Sequence, residues 1–157
     1  MIKNMRSLLA GVGVLLVVIY AAGSGFWVSS GDAWYKTLKA PSWQPPDWVF
    51  GVIWPYNFIA LGIASFYIAN RLTQTLTVTF LVFFALSVFM ALAWSYLFYS
   101  RHDLTSAALT LALAAILTLP VLLISWQASK VVGLLLVPYQ LWIITATTLS
   151  VGYLLKN

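Results

Sequence analysis

Tryptophans and prolines are concentrated in residues 34–54 of this sequence. The segment contains Trp34, Trp43, Trp48 and Trp54 together with three prolines, and it holds the only long polar connection of a chain that is otherwise apolar. Proline fixes φ and removes a backbone donor, so the connection is predicted to be a stiff loop. Rigid aromatic side chains of this kind form either a belt at a membrane interface or the rim of a ligand pocket. Because a belt needs only scattered aromatics, the clustering favours the pocket.

Residue types that carry acid–base, nucleophilic or metal chemistry are scarce. The chain has no cysteine, which excludes disulfides, thiolate metal sites and cysteine nucleophiles. No predicted membrane span has a charged residue or histidine near its middle, which argues against an ion-driven pump, since such proteins depend on intramembrane charge. The single histidine, His102, lies between Arg101 and Asp103 and has no second ligand nearby. We therefore predict no metal site and no cofactor.

The composition is that of a membrane protein. Hydrophobic residues make up 62% of the chain and charged residues 7%, against about 25% charged in soluble proteins. The formal charge is +5, and the basic residues are scattered near span ends, where they anchor a helix to phosphate head groups. Nucleic-acid binding would require them on one face, so we exclude it. The expected location is a membrane, which the chain crosses several times.

Five apolar stretches are near or above the roughly 20 residues that a membrane-crossing helix needs. They span about residues 8–28, 48–69, 76–99, 104–126 and 131–155. The breaks between the last four are short and polar, which makes sequence neighbours antiparallel. The predicted fold class is therefore an all-α integral membrane bundle of five transmembrane helices, a single domain over residues 1–157 with a structured first loop. Pro45-Pro46 before Asp47 suit the start of the second helix.

The first stretch has a second interpretation, a cleaved signal peptide. Lys3 and Arg6 precede it, but it lacks a clear Ala-x-Ala site and is longer than the apolar part of a signal peptide. With five spans the basic residues divide four against four between the two sides, so their distribution leaves the orientation open.

Helical spacing groups the aromatic side chains of the spans into three faces. These faces are Trp54, Asn57 and Leu61; Ala91, Trp94 and Phe98; and Tyr139, Trp142 and Ala146. If they point inward, they line an apolar cavity suited to a flat hydrophobic ligand; otherwise they pack the core or face lipid. Asn57 and Gln140 are the costliest side chains to bury there and are candidates for a polar contact with the ligand.

The order of these residues resembles a known family signature. The signature runs through Trp34-Tyr35, Leu38, Ala40-Pro41, Trp43, Pro45-Pro46, Val49-Phe50 and Trp54. It continues with residues 94–98 (Trp-Ser-Tyr-Leu-Phe) and 138–142 (Pro-Tyr-Gln-Leu-Trp). Along essentially its whole length the chain resembles the TspO/MBR family of tryptophan-rich sensory proteins and translocator proteins, or peripheral benzodiazepine receptors. The resemblance implies a five-helix transmembrane bundle, commonly dimeric and capped by the first loop, with a bacterial cell membrane as its expected location.

The resemblance also implies ligands. Members of that family bind porphyrins such as protoporphyrin IX, and many bind sterols or benzodiazepine-type ligands within the bundle. Some bacterial members are reported to promote light-dependent porphyrin breakdown. With Asn57 added from its helical position, the ligand-binding residues would be Trp34, Tyr35, Pro41, Trp43, Trp54, Asn57, Trp94, Tyr139, Trp142 and Ala146. Trp54 and Trp142 match the tryptophans implicated in the photochemistry and would be catalytic if the chain has that activity.

The chain departs from the family pattern at several positions. Where the third span of the family usually carries Asn and can carry Gln, this chain has Ala91 and Leu92. Ala40, Asn57-Phe58 and Leu149-Ser150 also differ. The missing third-span amide removes a polar contact for a ligand, and Asn57 is a candidate to supply one from another helix.

Two further patterns are less specific. Residues 151–156 (Val-Gly-Tyr-Leu-Leu-Lys) fit a proposed cholesterol-contact pattern, but an aromatic followed by a basic anchor occurs at many span ends. The pairs Ser87/Ala91 and Ala108/Ala112 have the spacing of small residues that lets helices approach closely, within one bundle or between copies. Combined with the resemblance, this spacing favours the third span at a homodimer interface.

Three functions fit the sequence. The first is a membrane receptor or carrier for tetrapyrroles and similar hydrophobic ligands, in tetrapyrrole handling or stress response. The second is an enzyme that degrades porphyrin in light, with Trp54 and Trp142 as electron donors, although no acid, base, nucleophile or metal group supports it. The third is a membrane scaffold without a ligand.

Overall fold

The structure, a computed structural model, describes residues 2–157. These residues form five α-helices and no strand: α1 (Ile2–Tyr35), α2 (Asp47–Arg71), α3 (Gln74–Tyr99), α4 (Leu104–Ala128) and α5 (Lys130–Lys156). All five are long and apolar enough to cross a membrane. The predicted fold class, an all-α bundle of five membrane helices, is confirmed.

Helix α1 is longer than its apolar stretch predicts, because it continues through polar residues after the apolar run. Its last turns are supported locally: Ser30 Oγ donates to the carbonyl of Trp27 at 3.0 Å, and Lys36 contacts Asp32 at 2.5 Å. Trp34 and Tyr35 therefore lie on the last turn of α1, not in the first loop where the sequence predicted them. The loop itself is reduced to residues 36–46.

The other helices begin at the polar residues in the breaks. Pro46 is the N-cap of α2 and Asp47 lies in its first turn, as their types predict. Thr73, Asp103 and Ser129 cap α3, α4 and α5, and the side chain of each accepts a hydrogen bond from a backbone N–H of the first turn. These caps fix where each antiparallel turn is made.

The helices pack as a ring in the order α1, α2, α5, α4, α3 and back to α1. Glycines set two of the close contacts in this ring. A Cβ on Gly13 would lie 2.4 Å from Cβ of Ser65, and a Cβ on Gly133 would lie 2.3 Å from the ring of Trp126. Helices α1 and α2, and helices α4 and α5, can therefore approach this closely only because these positions lack a side chain.

The small residues of α3 face the inside of one protomer. Ser87 is fully buried and Ala91 is 2% exposed, and Ala91 packs in the main core. Ala108 of α4 is buried as well. The expectation that Ser87 and Ala91 lie at a dimer interface is wrong, because both side chains are already covered by the protomer's own helices.

Candidate functional site

A cavity of about 300 Å³ lies in the half of the bundle next to the first loop. Helices α1, α2, α3 and α5 line it together with Gln44 of the loop, whereas α4 contributes no lining residue. A volume of about 300 Å³ is at the lower end of the range for small-molecule sites. The site is therefore enclosed by four helices and the loop that connects the first two.

Helix α5 presents one regular stripe to the cavity. Trp142, Ala146, Leu149 and Tyr153 all line it, and their spacing of four, three and four residues keeps them on one helical face. On α3, Trp94 and Phe98 are one turn apart and also line the cavity. The aromatic side chains on these two helices form walls of the cavity, and their helical spacing places them one after another along its length.

Helix α1 makes room for the cavity by presenting small side chains. Ala21, Ser24, Gly25 and Val28 line the space at helical spacing. Gly25 and Val28 are exposed on the surface as well, and a Cβ added to Gly25 would have nothing within 4 Å. The cavity is therefore open along α1, at the outer surface of the bundle.

Tryptophans of α2 and α5 form one aromatic wall. The rings of Trp54 and Trp142 meet edge to face, with centroids 6.4 Å apart and planes at 89°. Phe50 packs on Trp142 at 5.1 Å and 82°, and Phe58 lies beside Trp54 at 5.7 Å and 26°. Edge-to-face packing fixes ring orientation. The wall therefore offers rigid, flat apolar surfaces.

The polar groups of the cavity are concentrated at its loop end. Oε1 of Gln44 accepts hydrogen bonds from the hydroxyls of Tyr153 and Tyr35, the second at 3.5 Å, and the two hydroxyls are 2.9 Å apart. Nearby, Trp94 Nε1 donates to Ser150 Oγ at 3.2 Å. No lining residue is an Asp, Glu, Lys, Arg or His. The site is thus an apolar cavity with a neutral polar end.

The first loop is fastened to the end of α5. Asn157 bonds Lys39 twice: its Oδ1 accepts from the backbone N–H at 2.9 Å, and its Nδ2 donates to the backbone carbonyl at 3.1 Å. Pro41 is buried, and its Cγ lies 2.7 Å from the position that a Cβ on Gly152 would take. The glycine therefore lets the loop lie directly on α5, and this contact holds Gln44 at the cavity.

Five of the predicted ligand-binding residues line the cavity: Tyr35, Trp54, Trp94, Trp142 and Ala146. The other five do not. Tyr139 is buried and its hydroxyl donates to that of Tyr20 at 3.4 Å. Pro41 packs on α5, and Trp43 is 52% exposed. The structure therefore brings together Tyr35 at the end of α1 and four residues of the spans, whereas Tyr139 of α5 and the loop residues Pro41 and Trp43 lie outside the lining.

Trp34 and Asn57 also lie outside the lining. The ring of Trp34 stacks on His102, with centroids 3.8 Å apart and planes at 9°, and so joins α1 to the turn between α3 and α4. His102 itself has a positive φ of 56°, which is unusual for a residue with a side chain. Asn57 is fully buried, and neither amide atom has a hydrogen-bond partner among the described residues.

Sequence reasoning missed the small residues of α1 and seven larger or polar lining residues: Gln44, Phe50, Phe58, Tyr99, Leu149, Ser150 and Tyr153. The stripe on α5 contained a signal, since continuing the helical spacing from Trp142 and Ala146 reaches Tyr153. In the sequence, Tyr153 stands out only as part of the cholesterol-contact pattern. In the structure it is buried and hydrogen-bonded toward the cavity, and Lys156 donates to the carbonyl of Ala40 at 3.4 Å.

The two third-span departures do not line the cavity either. Ala91 is in the core, and Leu92 packs against α1, with its Cδ2 2.7 Å from where a Cβ on Gly23 would lie. The cavity therefore has no amide from α3, and Gln44 supplies the amide among its lining residues.

Charged groups lie outside the cavity. Hydrogen bonds from Ser106 lower the pKa of the Asp103 carboxyl in the turn before α4. The hydrogen bond and charge of Asp32 raise the pKa of Lys36 in the first loop. The described residues contain no cluster of His, Asp and Glu that could hold a metal ion. The chemistry available inside the cavity is therefore that of aromatic rings, hydroxyls and one amide.

Comparison with known proteins gives a consistent match. The model of the TspO/MBR family matches residues 12–155. The tryptophan-rich protein TspO of Chlorobaculum tepidum is 32% identical over 99% of this chain and 98% of its own length. Protein CrtK of Rhodobacter capsulatus is 30% identical over 87% of this chain and 86% of its own. The human translocator protein is 30% identical over 82% of this chain and 77% of its own.

Proposed function

This chain belongs to the TspO/MBR family, and from that premise we propose that it is a membrane receptor or carrier for porphyrins of the protoporphyrin IX type. The ligand would bind in the cavity between α1, α2, α3 and α5, and the protein would act in tetrapyrrole handling or stress signalling. The observation that carries the proposal is the cavity lining, which joins three tryptophans to a small-residue face of α1.

The lining suits a flat and largely apolar molecule. The wall of Trp54 and Trp142 and the facing Trp94 offer rings for stacking, and an aromatic pair contributes about 0.5–1.5 kcal/mol beyond area burial. The opening beside Gly25 allows a molecule larger than the enclosed volume to extend toward lipid. Sterols and benzodiazepine-type molecules are apolar enough to be further ligands of the same cavity.

A side chain introduced at Gly25 tests the proposal. We expect Gly25→Phe to weaken protoporphyrin IX binding at least tenfold, because the new ring occupies the open side of the cavity. The matched control is Gly11→Phe, since Gly11 is also on α1, is exposed, and has nothing within 4 Å of an added Cβ. Binding is followed in detergent, in the dark, by quenching of tryptophan fluorescence.

Each outcome of that titration is informative. Equal loss in both variants would mean that a bulky residue on α1 disturbs the bundle. Unchanged affinity of the Gly25 variant would place the ligand elsewhere and overturn the proposed site. A wild-type protein that binds no porphyrin would favour the scaffold interpretation.

The second candidate, light-dependent porphyrin degradation, is favoured by one observation: Trp54 and Trp142 are in ring contact and both line the cavity. In such a reaction a tryptophan would give one electron to the photoexcited ligand, leaving a tryptophan radical cation and a porphyrin radical anion, and dissolved dioxygen would be the oxidant that then attacks the ring. Trp54→Phe and Trp142→Phe should keep porphyrin binding within roughly tenfold, about 1.4 kcal/mol. Loss of porphyrin in light by the wild type but not by the double variant would support the enzyme. Equal loss in both would refute it.

We also propose that the protein forms a homodimer through the lipid-facing side of α3. Phe89 is 64% exposed there, and Leu86 and Val82 on the same face are exposed as well. Mass measurement in detergent tests this: Phe89→Ala should shift the protein toward the monomer, and an unchanged mass would remove α3 from the interface.

A further inference from the structure

We infer that Gln44 is a specificity-determining residue of the cavity, whose amide Nε2–H donates to a carbonyl oxygen on the ligand edge that faces the first loop. The inference deepens the proposed function and depends on it. It concerns which flat ligands are preferred, rather than whether such ligands bind.

The two tyrosines hydrogen-bond the oxygen of the Gln44 amide. Both hydroxyls, of Tyr153 and Tyr35, donate to Oε1, which is the oxygen of the amide. The hydroxyl of Tyr153 also lies 2.9 Å from that of Tyr35, so the three side chains form a closed triangle. With its oxygen occupied on this side, the amide turns its NH₂ group away from the tyrosines.

The NH₂ group is then a donor without a protein partner. No side chain or carbonyl among the described residues accepts from Nε2, and Gln44 is part of the cavity lining. An amide NH₂ provides two donors, and leaving such a donor without a partner when a ligand covers it costs free energy. A ligand that presents an acceptor at this point is therefore favoured over one that presents hydrocarbon.

The backbone around Gln44 is also fixed before any ligand binds. Pro45 follows it directly, and the N–H of Gln44 donates to the carbonyl of Pro41 at 3.1 Å. Pro41 in turn is packed on α5. Because the donor is already held in place, little conformational entropy is lost when it bonds a ligand.

Few other polar groups of the lining are free to donate a hydrogen bond to a ligand. Trp94 Nε1 already donates to Ser150, and no lining side chain carries a full charge that could bind a carboxylate as an ion pair. Two further donors of lining residues have no partner among the described residues: the hydroxyl of Tyr99, whose ring lies 5.7 Å from that of Tyr35, and Nε1 of Trp142, which is buried in the aromatic wall. A neutral acceptor such as an ester or amide carbonyl therefore fits the loop end better than an ionised group.

A pair of porphyrins with the same ring separates this donor from stacking. Protoporphyrin IX dimethyl ester carries two ester carbonyls, whereas etioporphyrin carries only alkyl groups. In the wild type we expect the ester to bind about 5–10-fold more tightly, the effect of one neutral hydrogen bond. In Gln44→Met, which keeps the length of the side chain but has no N–H, the preference should disappear, so that the two porphyrins bind equally tightly.

Comparing ratios between variants cancels the different partitioning of the two porphyrins into detergent. Gln127→Leu is the control for loss of an amide, because Gln127 is exposed at the opposite end of the bundle. Tyr153→Phe is a second test. It keeps the Nε2–H donor of Gln44 but removes one of the two hydroxyls that hydrogen-bond the amide oxygen. The preference for the ester should then fall to about two- to threefold.

The outcomes separate this inference from the proposed function. If neither porphyrin binds the wild type, both fail. If both bind the wild type equally, or if the ester preference survives in Gln44→Met, the cavity remains the porphyrin site and the role of Gln44 is refuted. A Gln44→Met protein that does not fold leaves Tyr153→Phe to decide, and an unchanged preference in that variant also refutes the inference.

Discussion

Replacing Asn57 with leucine is expected to make the protein more stable. Asn57 lies in the middle of α2 and is fully buried, and both its Nδ2 and its Oδ1 lack a hydrogen-bond partner among the described residues. Leucine has the same number of heavy atoms and the same branching as asparagine, without polar atoms. The substitution therefore removes two unsatisfied groups without opening a cavity.

The size of the effect follows from those two atoms. A buried polar group left without a partner costs about 1–3 kcal/mol, so two of them at the lower limit cost about 2 kcal/mol. Leucine is also the better helix former. We expect a gain of about 2 kcal/mol, and since 1 kcal/mol shifts Tm by about 2–4 °C in a chain of this size, a rise of about 4–8 °C.

Thermal unfolding in one detergent, with Gln140→Leu as the control, measures this effect. Gln140 is also buried, but its Nε2 donates to the carbonyl of Ala115 at 3.0 Å and only Oε1 is unpaired. Replacing Gln140 should change the free energy of unfolding by less than about 1 kcal/mol. The loss of its hydrogen bond to Ala115 offsets the gain from removing the unpaired Oε1. Because Asn57 does not line the cavity, porphyrin affinity should stay within twofold. A lower Tm for Asn57→Leu would refute the reasoning, since it would mean that a bound water or ligand satisfies this amide.

Three further predictions follow from the loop, a turn and a helix contact. Replacing Pro41 and Pro45 together with glycine should weaken ligand binding at least severalfold, because the loop loses its stiffness and its contact with α5. Helix content measured by circular dichroism should stay unchanged. Unaltered affinity would mean that the loop does not close the cavity. The pKa of Asp103 is lowered in the folded protein, so its contribution to stability is present above the ordinary carboxyl pKa, about 4, and is lost as pH falls through the lowered value. Asp103→Asn should therefore reduce the acid-induced drop in Tm, and an identical pH profile would exclude this role. Gly133→Ala should destabilise the protein by about 1–3 kcal/mol, because the added Cβ overpacks against Trp126. Gly62→Ala, with nothing within 4 Å of the added Cβ, should be neutral or stabilising. Equal Tm values for the two variants would contradict the close contact between Gly133 and Trp126.

The elements of the fold could be predicted from the sequence because each has a strong local cause. Apolar stretches of span length alternate with short polar breaks. Residues such as Pro46 and Asp103 begin helices because the first backbone N–H groups of any helix lack a partner within it, and these residue types suit that position. The extension of α1 to Tyr35 was missed, because the polar residues near its end are as common in loops as in helix ends.

The sequence by itself determined that this chain has five membrane-spanning helices and that four of its tryptophans lie in or beside the first loop, since hydrophobicity and residue type decide both. Only the tertiary structure decided which side of each helix faces the cavity. Trp34 and Tyr35 are neighbours, yet one stacks on His102 while the other lines the cavity, and Ala91 faces the core rather than a partner. The physical reason is that lipid and protein interior are both apolar, so a membrane helix is hydrophobic all round and carries little pattern to mark its inner face. The rotation of each helix is set by close packing at positions such as Gly13 and Gly133, contacts that exist only when the helices are together.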